Sequence, residues 1–345
     1  MERDLSRREF VKYCSVIAAS LGFPLSWGAK IAHAIEKASK RPRVIWLHFA
    51  ECTGDTESFL RAYRPSIAEI VLDIISLDYH ETIMAPSGHS AHLSLKECIE
   101  QNRGQYLVIA EGAIPTKDNG VYLTIGNQTG LEIAKEVCSQ AFAVLCVGTC
   151  SSFGGVQAMG PNPTQAKGVQ EATGLPIEKF IYLPGCPHNV QNSVATIVHY
   201  LLFNKLPPLD HERRPLFAYG KKIHDHCPRR KHFEAGEFVE HFGDEGDRKK
   251  WCLYRMGCKG PSTFHNCPQV LWNDGTSWPV EAGHGCNGCS ERNFWDSMSP
   301  FYERLPEHTP FGEVSANTMA TVLGVATGVG IAAHSAISYA KGKVK

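Results

Sequence analysis

Short, continuously apolar runs recur along the first two-thirds of the chain, separated by segments long enough to hold a helix. Val44-Ile45-Trp46-Leu47-His48-Phe49 comes first, then Tyr106-Leu107-Val108-Ile109-Ala110, Ala143-Val144-Leu145-Cys146-Val147 and Phe180-Ile181-Tyr182-Leu183. Runs of this kind predict strands buried on both faces, and the spacing between them predicts crossover helices, hence an α/β fold with a doubly wound parallel sheet. After Pro207-Pro208 the pattern stops and loops dominate. The change divides the chain into a sheet domain over 43–205 and a loop-rich domain over 206–305. A third pattern closes the sequence: Val314 to Ala340 contains no Asp, Glu, Lys or Arg. Because ~20 apolar residues suffice to cross a bilayer, residues 314–340 are expected to form a C-terminal membrane anchor helix. Gly324 and Gly328 give it a GxxxG spacing suited to a partner helix, and Lys341, Lys343 and Lys345 place its tail in the cytoplasm.

The other end carries an address as well. Ser6-Arg7-Arg8-Glu9-Phe10-Val11-Lys12 precedes the mostly apolar stretch Tyr13 to Trp27 and the small-residue site Ala32-His33-Ala34. This resembles a twin-arginine export signal over 1–34, read by the twin-arginine export machinery and cleaved after Ala34. Signal and anchor agree in placing the body on the periplasmic side of the inner membrane.

With 345 residues the chain has room for about two domains plus these accessory segments. Its 35 basic residues balance its 35 acidic ones, and no long basic run offers a surface for phosphates, which excludes nucleic-acid binding. The anomaly is thirteen cysteines and sixteen histidines. An export route for folded proteins suits thiols already occupied by metal before they meet an oxidising compartment.

Three of those cysteines follow predicted strands, in the loops Glu51-Cys52-Thr53-Gly54-Asp55, Gly148-Thr149-Cys150-Ser151-Ser152-Phe153-Gly154-Gly155 and Pro184-Gly185-Cys186-Pro187; a fourth strand exit reads Glu111-Gly112-Ala113-Ile114-Pro115. Ligands of open α/β sheets bind beyond the carboxyl ends of the strands, so Cys52, Cys150, Cys186 and Asp55 are expected to meet there. The loop-rich half adds His224, Cys227, Cys252, Cys258, Cys267, Cys286 and Cys289, seven candidate ligands within about 65 residues. Iron-sulfur clusters accept thiolate and imidazole alike; zinc and disulfides remain alternatives for the same spacing. Cys14, Cys98, Cys138 and Cys146 read as small buried or leader residues.

Taken together, Glu-Cys-Thr-Gly-x, Glu-Gly-Ala-Ile-Pro, Gly-Thr-Cys-x-x-x-Gly-Gly, Pro-Gly-Cys-Pro, His-x-x-Cys and Trp-Pro-Val-x-Ala-Gly-His-x-Cys-x-Gly-Cys resemble the small subunits of nickel-iron hydrogenases, from about Val44 to Phe301. With signal and anchor the chain is similar to the membrane-bound, periplasm-facing uptake type. The resemblance implies a flavodoxin-like first domain with a proximal 4Fe-4S cluster on Cys52, Cys150 and Cys186. It implies a distal 4Fe-4S cluster on His224, Cys227, Cys252 and Cys258. A medial 3Fe-4S cluster falls to Cys267, Cys286 and Cys289, with Pro279 where a fourth cysteine could stand. One position departs from the family pattern: Asp55 replaces the second cysteine of Cys-Thr-Gly-Cys, and a carboxylate oxygen is a harder iron ligand than thiolate. We take Asp55 as the fourth proximal ligand; an open or solvent-bound iron is the alternative. The extra cysteines of one oxygen-tolerant class are replaced by Gly54 and Gly155.

No catalytic residue is expected in this chain, because it lacks the paired Cys-x-x-Cys motifs that nickel ligation requires. The implied task is conduction of electrons from hydrogen oxidation in a nickel-iron large subunit to a membrane cytochrome b or the quinone pool, in a dimer of heterodimers. His334 could pack in the anchor or touch a partner's haem. Glu51 and Glu111 could relay protons or receive backbone amides. Two rivals stay open: an iron-sulfur subunit of a related quinone-reducing oxidoreductase, and a non-enzymatic metal-binding sensor module.

Overall fold

The computed structural model describes residues 11–12, 14–15, 18–19, 24–37, 41–62, 65–203, 205–273, 275–305, 308–309, 312–313 and 316–341. The Ser6–Phe10 part of the export motif and the terminal Lys343 and Lys345 lie outside the described residues.

Five strands form one parallel sheet: β1 (Arg43–His48), β2 (Ser76–His80), β3 (Leu107–Glu111), β4 (Ala143–Val147) and β5 (Phe180–Leu183). Their spatial order is β2-β1-β3-β4-β5, the flavodoxin-like order, which reverses direction between β1 and β3. β1, β3, β4 and β5 are the four apolar runs. β2 is an addition: Ser76-Leu77-Asp78-Tyr79-His80 lies at the sheet edge, where half-buried positions tolerate polar residues and no apolar run announces it.

Alternation sorts each central strand between two cores. Val44 and Trp46 of β1 face one core with Ile109, Leu145 and Ile181, while Ile45 and Leu47 face the other with Val108, Val144 and Phe180. Helix α1 (Gly28–Lys37) packs on the first face, where Ile31 and Ala32 are buried. Later helices cover both faces: α2 (Gly54–Leu60), α3 (Gly88–Gln101), α4 (Gly130–Gln140), α5 (Gly148–Phe153) and α6 (Val190–Phe203). Register aligns the strand exits, pairing His48 with Glu111, Glu111 with Val147, and Val147 with Leu183. The loops that follow therefore open on one edge of the sheet.

From Leu216 to Ser297 the described elements are helical turns of three to five residues around a small core of Ile223, Val239, Leu253, Trp278 and Val280, to which Cys267 and Cys286 belong. Residues through Glu303 make one compact unit. The second unit holds α7 (Ala316–Ala340), whose Thr321–Tyr339 stretch is long and apolar enough to cross a membrane. At 1.5 Å per residue the 25-residue helix is about 37 Å long, against a hydrocarbon core of about 30 Å.

Candidate metal centres

The first centre is organised around a buried carboxylate. Glu111, at the end of β3, is fully buried and draws the β1 loop over the sheet edge. Its Oε1 accepts from the amides of Asp55 (3.0 Å) and Thr56 (3.2 Å). Its Oε2 accepts from Trp46 Nε1 (3.1 Å) and Thr56 Oγ1 (2.6 Å). Three of these four donors belong to the first turn of α2, so the carboxylate holds that turn, with Asp55 in it and Cys52 just before it, at the sheet edge. Of the two roles open for Glu111 from sequence, the structure displays the backbone-holding one. Glu51 differs: burial and the nearby Glu111 raise its carboxyl above the ordinary range, and its Oε1 lies 3.3 Å from His48 Nδ1.

Asp55 joins the other loops. Its Oδ1 accepts from the His188 amide (2.6 Å) and lies 2.9 Å from His188 Nδ1, two residues beyond Cys186. Its Oδ2 lies against Gly148, two residues before Cys150; Gly148 has φ +81°, and a Cβ there would collide with that oxygen. Burial pushes the Cys150 thiol up to about 12, with Asp55 and Cys52 adding to the rise. Cys289, Cys150, Asp55 and Cys52 likewise raise Cys186 on top of its desolvation. The structure thus brings Cys52, Asp55, Cys150 and Cys186 together, and Cys52 and Cys186 remain exposed.

A trio of cysteines from the loop-rich half shares a cleft. Cys267, Cys286 and Cys289 line a cavity of about 720 Å³ together with Cys186, Trp278 and Pro279. Pro279 stands in that wall. Cys267 Sγ is 3.0 Å from Nδ1 of buried His265, whose Nε2 has no hydrogen-bond partner among the described residues. Thr149 Oγ1, next to Cys150, donates to the Cys289 carbonyl. The trio therefore adjoins the first centre.

His224, Cys227, Cys252 and Cys258 line one separate pocket with Leu253, Tyr254 and Pro261. Burial lowers His224 below the ordinary histidine range, with Arg230 contributing, which leaves a neutral imidazole suited to a metal. Burial raises Cys252 to about 11. The Cys286 amide donates to Cys258 Sγ at 3.2 Å, so this pocket adjoins the trio of Cys267, Cys286 and Cys289.

Donor chemistry fits iron-sulfur clusters. Buried thiols raised this far stay protonated unless a metal supplies the compensating charge, and coordination does so. Among the described residues no disulfide joins any pair of cysteines.

Comparison with known proteins decides between the related families. Residues 52–200 match the family described as NADH ubiquinone oxidoreductase, 20 Kd subunit, so the sheet half alone is common to two kinds of enzyme. Residues 219–302 match the family described as the C-terminal part of the NiFe/NiFeSe hydrogenase small subunit. The quinone-reactive Ni/Fe-hydrogenase small chain of Wolinella succinogenes is 46% identical over 98% of this chain and 97% of its own length. This chain belongs to the nickel-iron hydrogenase small subunits. The periplasmic [NiFe] hydrogenase small subunit 1 of Nitratidesulfovibrio vulgaris is 51% identical over 87% of this chain and 94% of its own. Among solved structures, the reduced, active Ni-Fe-Se hydrogenase of Desulfomicrobium baculatum aligns with a TM-score of 0.72 and 35% identity, over 77% of this chain and 100% of that one.

As a hydrogenase small subunit, the chain transfers electrons, holds iron-sulfur clusters and pairs with a large subunit that carries the nickel. Sequence reasoning did not find His188. Its only signal was its place two residues after a strand-exit cysteine, and that does not say which carboxylate it would meet.

Proposed function

We propose that this small subunit holds a proximal 4Fe-4S cluster on Cys52, Asp55, Cys150 and Cys186, a medial 3Fe-4S cluster on Cys267, Cys286 and Cys289, and a distal 4Fe-4S cluster on His224, Cys227, Cys252 and Cys258. When bound, these groups supply one-electron carriers between the nickel of the large subunit and a membrane cytochrome b or the quinone pool. The sheet region 43–205 then carries the proximal site and region 206–305 the other two.

The observation that carries this reading is continuity of the donor sets: Cys186 lines the medial cleft, and Cys286 donates its amide to Cys258. The chain's own groups set the order. Glu111 orients the Cys52 loop, Thr149 ties the Cys150 loop to Cys289, and the Ile223–Val280 core packs against Cys227 and Cys258. Exposed Cys52 and Cys186 support docking of the large subunit over the proximal site. The helix at Thr321–Tyr339 supports anchoring on the periplasmic side after export, beside a quinone-linked partner, in a dimer of heterodimers. The quinone-reactive relative favours that acceptor.

The test is electron paramagnetic resonance with iron and zinc analysis of the anaerobically purified, detergent-solubilised complex. On the order of 11 irons per chain, a 3Fe-4S signal when oxidised and new signals under hydrogen are expected. Zinc without iron, or clusters that hydrogen does not reduce in the active complex, would reject the reading. Asp55→Cys is expected to keep the iron content and shift the proximal signal; an unaltered signal would remove Asp55 from the ligand set.

A further inference from the structure

We infer that His188 is a positioning residue for the proximal centre: it clamps one oxygen of Asp55 and so makes that side chain a single-oxygen ligand. This rests on the reading of Asp55 as a ligand and goes beyond it. An aspartate standing where a thiolate is expected poses a geometric problem. A thiolate offers one atom, whereas a carboxylate has two equivalent oxygens and a torsion that exchanges them. Left free, it could chelate one iron with both oxygens or swing away.

The structure removes that freedom from both sides. Oδ1 is taken by two donors from one residue, the His188 amide at 2.6 Å and His188 Nδ1 at 2.9 Å. Since a carboxylate only accepts, Nδ1 carries the proton in this bond. The imidazole itself is held: it is fully buried, and its Nε2 lies 3.0 Å from Ser193 Oγ at the start of α6. The His188 carbonyl accepts from Ser58 Oγ of α2 at 2.7 Å, so the helix bearing Asp55 and the loop bearing His188 are tied twice. Oδ2 is left on the Gly148 side, where the missing Cβ gives it room beside the Cys150 loop.

Two N–H donors on Oδ1 also draw charge from the carboxylate, weakening Oδ2 as a donor to metal. Outer partners of this kind orient a ligand and set its basicity. His188 does both for Asp55, and Ser193 holds His188 in place.

The experiment uses the anaerobically purified heterodimer carrying His188→Gln, His188→Asn, Asp55→Cys, or Asp55→Cys with His188→Gln. The readouts are the resonance spectrum of the hydrogen-reduced complex and the rate of iron release to the ferrous chelator bathophenanthroline. Gln loses the donor at the Nδ1 position, and iron release should rise about 10- to 100-fold with an altered proximal signal. Asn places an amide nitrogen near the Nδ1 position and should restore both readouts to near wild type. In the Asp55→Cys background His188→Gln should change neither readout, because no carboxylate remains to be held.

The same change in both backgrounds, no change in either, or failure of Asn to rescue would overturn the inference. Should His188→Gln give no complex, Ser193→Ala replaces it, with the same spectral change expected at smaller amplitude and an unchanged spectrum counting against the role. An Asp55→Cys complex with an unshifted proximal signal sinks ligation itself, whereas a shifted signal with a silent His188→Gln sinks only the clamp.

Discussion

Replacing Glu111 by glutamine preserves the side chain's shape and removes its charge, at a position where four donors converge and nothing is exposed. Glutamine keeps one acceptor oxygen and turns the other end into a donor. The better orientation puts the new NH₂ at the Oε1 position, since Thr56 N also reaches Oε2 at 3.1 Å and keeps a partner. Asp55 N then faces a donor and is orphaned. An orphaned buried donor costs about 1–3 kcal/mol, and converting the surviving charge-assisted bonds into neutral ones removes about 1 kcal/mol each. The sum is about 4–6 kcal/mol, borne by the turn that carries Cys52 and Asp55. Hydrogen exchange in the loaded heterodimer reads this directly, because protection of an amide follows the free energy of local opening. At 1.36 kcal/mol per decade, the amides of Asp55 and Thr56 should lose about 10³- to 10⁴-fold protection in Glu111→Gln, while the interior of β4 keeps its own. A loss under about 5-fold would refute the assignment of Glu111 as the anchor of this turn.

Gly148→Ala should disturb the same centre from the other side: at φ +81° a Cβ is strained by about 1–2 kcal/mol and meets Asp55 Oδ2, so iron loss should quicken although no ligand is changed, as iron analysis over time would record. His80 is buried, accepts from Thr82 N at Nδ1, and has an unpartnered Nε2; burial lowers its pKa to about 3. The unfolded chain therefore binds the proton first, and the stability is full above pH 6.5 and lost as pH falls towards 3. By pH 5 the loss is about 2 kcal/mol, and His80→Gln should abolish that part of the pH dependence in denaturant titrations. His224→Cys should retain iron and change the distal signal, whereas His224→Ala should lower the iron content. Ending the chain before α7 should release the heterodimer from membranes without detergent and leave the cluster signals intact, checked by fractionation and resonance.

Four of the five strands were legible because each is a continuous apolar run, buried on both sides. β2 was not, since an edge strand keeps polar residues on its half-exposed face and Ser76-Leu77-Asp78-Tyr79-His80 has no run to show. Candidate donors were legible one by one, because a ligand type is a property of the residue and the strand-exit positions follow from the apolar runs before them, while their division into three sets came from the resemblance to the hydrogenase family. The C-terminal helix was equally plain, length and the absence of charge being local properties.

Pairings across the chain were decided by tertiary structure alone. Glu111 and Asp55 are 56 positions apart, and Asp55 and His188 are 133 apart; only the β2-β1-β3-β4-β5 order and the shared register bring their loops to one edge. Sequence offered the candidate donors because side-chain chemistry is local. Their partners, the oxygen of Asp55 left free by His188 and the carboxylate that holds the turn in place, depended on contacts between distant segments, which form only when the sheet closes.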